Sequence, residues 1–187
     1  MSDFEFTFAL FGLLLGLSLA EVLGGLGRAL EARLRRGQAL RIGWLTPLLG
    51  AFVVLDLLSF WQAAWVSRKV IDVSGVVLMA VTAFAGSYYL ASSLVFPRSL
   101  EGVDDLDVHF FRVRRIVIGV MLALLVVQLA FYASIPELAV RLQSPLPMIM
   151  TAVLVLLMGL AMFARSQFWA RLAMAALVAR YVVVYML

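Results

Sequence analysis

Long apolar runs along this chain are broken by short clusters of charge, and within each run the apolar positions are continuous. A helix rises about 1.5 Å per residue, so about 20 mostly apolar residues cross about 30 Å of hydrocarbon. Six stretches meet that length: residues 4–26, 42–65, 73–96, 115–134, 146–163 and 168–187. Strands of an outer-membrane barrel would instead alternate apolar and polar side chains. The pattern therefore predicts an all-α integral membrane protein, a polytopic bundle of six transmembrane helices forming one domain over residues 1–187.

The connections set the expected orientation. Arg28, Arg33, Arg35, Arg36 and Arg41 follow the first span, Arg98, Arg112, Arg114 and Arg115 precede the fourth, and Arg165 and Arg171 flank the fifth connection. The opposite side carries Arg68, Lys69 and Arg141. Cytoplasmic loops accumulate Lys and Arg, which places loops 27–41, 97–114 and 164–167 in the cytoplasm and both termini outside. Trp44 and Trp169 fall at the basic ends of their spans, and Trp61, Trp65, Tyr132 and Tyr185 at the other, as interfacial aromatic belts do. Loop 27–41 has Leu30 and Leu34 on one helical side among its arginines, so it is expected to prolong the first helix along anionic headgroups. Loop 97–114 puts Glu101, Asp104, Asp105 and Asp107 ahead of Arg112 and Arg114, an arrangement suited to a helix N-terminus.

Composition strengthens this picture. Of 187 residues, 65% are hydrophobic and 14% charged, whereas soluble domains are about 45–50% apolar and about 25% charged. Mean hydropathy is +1.07. The start, Met1-Ser2-Asp3-Phe4-Glu5, is acidic where a secretory leader is basic, so the first apolar stretch is expected to be retained as a span. With no Cys, disulfides, thiolate metal sites and cysteine nucleophiles are excluded. The net charge of +4 comes from arginines flanking apolar runs, which points to anionic phospholipid rather than nucleic acid.

Candidate chemistry is sparse. No metalloprotease, nucleophile-elbow or phosphate-loop motif is present, so no catalytic residue, cofactor or metal is expected and the chain is not expected to be an enzyme. His109 near Asp105 and Asp107 is a nonspecific metal signal, since helix-entry charge already accounts for the acids. Ionisable groups within the spans are sharper, because each costs about 2.5–3.5 kcal/mol unless paired or hydrated. Asp56 and Arg180 fall at comparable mid-span depth, and an ion pair between them is expected, with Gln128 as a hydrogen-bonding neighbour. Glu21 lies nearer the basic end, where it suits an ion pair with Arg171 or Arg115, proton coupling, or a neutral hydrogen-bonded carboxyl. Gly12, Gly16, Ala20 and Gly24 form a small-residue stripe on the first span, an expected interface with another helix or a second copy. Arg33, Arg35, Arg36, Arg112, Arg114 and Arg115 are the expected contacts with anionic lipid.

Two function classes follow. One is a small oligomeric channel or transporter of the inner (cytoplasmic) membrane, with a polar centre at Glu21, Asp56, Gln128 and Arg180. The other is an accessory or scaffold subunit that binds other membrane proteins and anionic lipid.

Overall fold

The structure, a computed structural model, describes residues 3–34, 40–67, 74–142 and 144–186. Seven helices make up these residues: α1 (Asp3–Leu34), α2 (Leu45–Val66), α3 (Gly75–Val95), α4 (Leu106–Ser134), α5 (Pro136–Leu142), α6 (Pro145–Phe163) and α7 (Gln167–Met186). Six of them, all but α5, are long and apolar enough to cross a membrane.

Several boundaries differ from the hydropathy reading for local reasons. α1 continues to Leu34, past the expected end at 26, because Ala29 and Ala32 remain buried while Glu31 and Arg33 face outward. α4 starts at Leu106, nine residues before the expected 115. Its start is fixed by Asp105, whose carboxylate accepts from the Asp107 N–H at 2.7 Å and so caps the first turn. α2 begins only at Leu45, since Gly43 holds the left-handed backbone (φ +64) and turns the chain into the helix. Pro145 opens α6 in the first turn, where its missing N–H costs nothing. The short α5 lies in a connection that hydropathy alone leaves as loop.

α2 is the central helix and packs against α1, α3, α4 and α7. α4 lies beside it and also contacts α3 and α6; the α1–α3 and α6–α7 pairs close the two flanks. The core follows this seam: Leu45, Leu49, Phe52, Met121, Met174 and Leu177 are almost completely buried. Large apolar side chains face outward on every spanning helix, among them Leu17, Leu58, Met79, Val126, Leu156 and Leu172. Such a surface suits lipid, not water.

Close approach happens at Gly12 of the expected stripe and at glycines outside it. Phe96 sits between Gly25 of α1 and Gly50 of α2; a Cβ on Gly25 would lie 2.6 Å from Phe96 Cβ. Of the stripe, Gly12 meets the Trp61 ring within the same chain, whereas Gly16, Ala20 and Gly24 lie on the exposed side of α1. Phe8 stacks against Trp61 and Trp65, so α1 begins where α2 ends, and Arg180 on the last turns of α7 reaches Met150 near the start of α6. The start of α1 and the end of α7 therefore share one end of the bundle. Arg33, Arg41, Arg98, Arg112, Arg165 and Arg171 lie at the other end.

Candidate functional site

Two buried carboxylates organise the interior, one at mid-span and one at the arginine-rich end. Asp56 lies eleven residues into α2, about 16 Å along its axis. It is 5% exposed, and both of its oxygens are engaged: Tyr88 of α3 donates to Oδ2 and Tyr181 of α7 donates to Oδ1. Tyr88 and Tyr181 are themselves buried, and Phe60 packs edge-on against Tyr88 with ring centroids 5.0 Å apart. A charge placed at this depth needs hydrogen bonds in lieu of water, and the phenols supply them.

The expected Asp56–Arg180 ion pair is not formed. Arg180 Nη2 donates to the Met150 carbonyl at 3.2 Å, and its guanidinium lies 4.8 Å from the Tyr181 ring centroid. Arg180 Nε is buried without a hydrogen-bond partner. The physical reason is competition: the tyrosines occupy both carboxylate oxygens, while Tyr181, the residue next to Arg180, holds the guanidinium against its own ring. Gln128, expected as a neighbour, does not bond Asp56 but lines the same space.

That space is a cavity of about 450 Å³ between α2, α4, α6 and α7. It extends from Val66, Tyr132 and Ser144 at the helix ends down to Asp56, Arg180 and Tyr181, with Ser59, Gln62, Gln128 and Thr151 on its walls. Among the described residues that line it, Asp56 is the one acid and Arg180 the one base. Tyr181 on its wall packs in turn against Phe52, with ring centroids 6.1 Å apart. On the other side of the α2–α4 seam, a second cavity of about 350 Å³ is almost wholly apolar, lined by Phe8, Phe11, Val77, Phe84 and Phe131. Tyr132, donating toward the Ala63 carbonyl at 3.5 Å, belongs to the wall between them.

The second carboxylate, Asp107, is 1% exposed and saturated by protein partners. It accepts from the Leu45 N–H at 2.9 Å, at the first turn of α2, and from Arg171 Nη2 of α7 at 3.0 Å. Thr46 Oγ1 donates to the Leu106 carbonyl at 2.6 Å, and the Arg41 and Leu106 N–H groups complete a short backbone bridge between the two segments. Gly43 is required here, because a Cβ would overlap the Asp107 carboxylate. Asp107 thus ties α2, α4 and α7 together, which an acid read only as helix-entry charge does not announce. The Arg171 spacing on α7 was the available signal, since a second arginine near a span end needs a partner too.

Other expected residues are distributed differently. Glu21 pairs with Arg28 one helical repeat along α1 at 3.5 Å, not with Arg171 or Arg115, and it is remote from the cavity walls. Arg171 is claimed by Asp107, and Arg28, about two turns along the same face of α1, reaches Glu21 with its long side chain. Arg114, expected at the lipid headgroups, is instead buried: Nη1 donates to the Ala161 carbonyl at 3.1 Å near the end of α6, and the Phe111 ring lies 4.5 Å below the guanidinium. Cations satisfy the last carbonyls of a helix in this way. Arg33, Arg112 and Arg115 are exposed, and Arg35 and Arg36 lie outside the described residues. His109 Nε2 faces the Leu94 carbonyl at 3.2 Å, and no group of three metal-ligating side chains occurs among the described residues.

Comparison with protein-family models, curated proteins and solved structures finds no match. Class therefore rests on fold and site alone. Six long apolar helices mark a multi-pass membrane protein, and its central feature is a polar cavity that reaches a tyrosine-capped aspartate at mid-span.

Proposed function

We propose that this protein is a small transporter of the inner membrane that admits a polar solute to the cavity beside Asp56 and Arg180. The observation that supports this reading is the cavity itself: about 450 Å³ of polar-walled space inside helices that are otherwise sheathed in apolar side chains. Intramembrane ionisable groups on such a wall are costly to keep, and a substrate or ion path is the common reason they are kept. Transport by alternating access fits better than an open pore, because Phe52, Met121 and Met174 are buried and fill the seam beyond Asp56.

In this reading the arginine-rich end is cytoplasmic and both termini face outward, so the cavity faces the outside. Arg33, Arg112 and Arg115 contact anionic phospholipid at the inner surface. The exposed Gly16, Ala20 and Gly24 face of α1 seats a second copy, giving an oligomer. That same exposed face favours a second reading, a non-transporting accessory subunit whose α1 docks on another membrane protein.

The test is flux into liposomes reconstituted with purified protein, read as charge movement on a solid-supported membrane over a panel of small ions and solutes. Wild-type protein is expected to move at least one of them, and Arg180→Gln to cut that flux about tenfold, the loss of one charge-assisted interaction. No movement above protein-free liposomes for any solute, together with a stoichiometric membrane-protein companion in mild detergent, would replace transport with the accessory reading.

A further inference from the structure

We infer that the solute bound beside Arg180 is a small oxyanion, carrying a carboxylate or a phosphate-type group, with Arg180 as its principal ligand. This rests on the reading of the cavity as a solute site and names what that site selects.

The argument is an inventory of donors and acceptors. A guanidinium offers five N–H donors in a fixed fork and accepts nothing. Arg180 gives one bond, from Nη2 to the Met150 carbonyl, and has no carboxylate partner; its Nε–H, like those of Arg114 and Arg171, is buried without an acceptor. Stacking on the Tyr181 ring keeps the guanidinium plane from swinging toward Asp56. Arg180 lines the cavity, and its Nη groups, not the buried Nε, carry the donors that a solute there can reach. Asp56, the acid of the same wall, has both oxygens already engaged by phenolic O–H donors. A cation entering here would have to share a carboxylate already hydrogen-bonded by two phenols, and would be repelled by the guanidinium beside it. An oxyanion would meet unspent N–H donors in the planar fork that suits carboxylate and phosphate. Gln128 and Thr151, neutral groups able to donate, lie on the same wall.

Asp56 then sets the strength of binding from the opposite direction. Its charge opposes the incoming anion inside the helix bundle, where charges are screened less than in bulk water. Replacing it with the neutral Asn should tighten anion binding, an outcome that a role for Asp56 confined to holding the fold would not produce.

The experiment uses the full chain in nanodiscs of phosphatidylcholine alone, with inorganic phosphate, acetate, succinate, sodium and methylammonium as probes. Binding is read as a concentration-dependent rise in melting temperature and by isothermal titration calorimetry. At least one oxyanion is expected to bind the wild type. Arg180→Gln is expected to weaken it about tenfold or more, the effect of removing a hydrogen bond to a charged group, with Arg180→Lys intermediate. Asp56→Asn should bind more tightly than wild type, and the exposed control Arg165→Gln should bind equally. A parallel arm adds phosphatidylglycerol to the discs: a stabilisation that appears only there and is lost in Arg180→Gln assigns the oxyanion to a lipid headgroup, not a free solute. The inference is overturned if no oxyanion, free or lipid-borne, binds in an Arg180-dependent manner, or if the cations bind instead. Should Arg180→Gln not fold, the Lys variant and the Asp56→Asn gain decide the matter. Arg180-dependent binding with no flux would leave the inference standing and remove the transport reading; flux indifferent to oxyanions would do the reverse.

Discussion

The two ends of α7 carry the same residue type to opposite purposes. Arg171 and Arg180 stand nine positions apart on one helix, and each lies in the neighbourhood of a buried aspartate. At the arginine-rich end the pair closes: Arg171 binds Asp107 at 3.0 Å, and the backbone of α2 takes the other carboxylate oxygen. At mid-span the pair stays apart, with tyrosines on Asp56 and Arg180 bonded to a backbone carbonyl at the cavity wall. A closed pair spends its hydrogen bonds on holding helices together. An open one retains donors for something that arrives. The difference shows that a charge within a span is not informative by itself; what matters is whether the fold supplies its counter-charge, since the Nε of Arg171 and that of Arg180 are alike buried without a partner.

The largest effect that tests this contrast is at Asp107. Asp107→Ala removes the acceptor for the Leu45 N–H and leaves the Arg171 guanidinium without its carboxylate. Breaking a fully buried pair costs about 3–5 kcal/mol, but the Arg171 side chain is 39% exposed and water recovers part of that loss. A destabilisation of about 2–3 kcal/mol is expected, read as a fall in the melting temperature of detergent-solubilised protein followed by tryptophan fluorescence. An unchanged melting temperature would mean that the closed end is not what ties α2, α4 and α7.

This contrast was only partly legible in the sequence. The number of spans and their approximate bounds follow from hydropathy, because lipid imposes one length on every crossing helix. Helix ends do not follow, since they depend on single polar contacts: Asp105 capping α4 and Gly43 turning into α2 sit outside any apolar run. Asp56, Gln128 and Arg180, read at comparable depth by simple arithmetic along their helices, line one cavity, whereas Glu21 does not. Which group bonds which is not arithmetic. Tyr88 and Tyr181 outcompete Arg180 for Asp56 because of how α3 and α7 face α2, and a hydropathy profile counts those tyrosines only as aromatic bulk. Asp107 was hidden for a related reason: an acid at a helix start has an adequate local explanation, and its long-range partner Arg171 lies 64 positions away.

A sharper comparison uses double-mutant cycles on both aspartate–arginine pairs. In the Asp107/Arg171 cycle the two Ala substitutions should be strongly non-additive, with a coupling of about 1–2 kcal/mol, since each single variant strands the other partner. In the Asp56/Arg180 cycle the coupling should be smaller, about 0.5 kcal/mol, because no bond joins the two groups. Melting temperatures of the seven proteins, measured under one detergent condition, supply both values. Equal couplings would erase the distinction between a closed and an open pair.

The smallest expected effect is the most diagnostic for the mid-span site. Arg180→Met replaces the guanidinium with an unbranched apolar chain that can follow the same path beside Tyr181. What the fold loses is one hydrogen bond to the Met150 carbonyl and a ring contact. What it gains is relief from a half-buried charge and from a buried Nε–H that has no partner. These terms oppose each other, and stability is expected to stay within about 0.5 kcal/mol of wild type. Arg171→Met, made in parallel, should be clearly destabilised, because it leaves the Asp107 carboxylate buried without its cation. The paired melting curves decide between two meanings of Arg180. If Arg180→Met unfolds as readily as Arg171→Met, the guanidinium is a second buttress between α6 and α7, and its donors are part of the scaffold. If it melts with wild type, the fold has no need of the charge, and the reason for keeping so costly a group at mid-span must lie in what it binds.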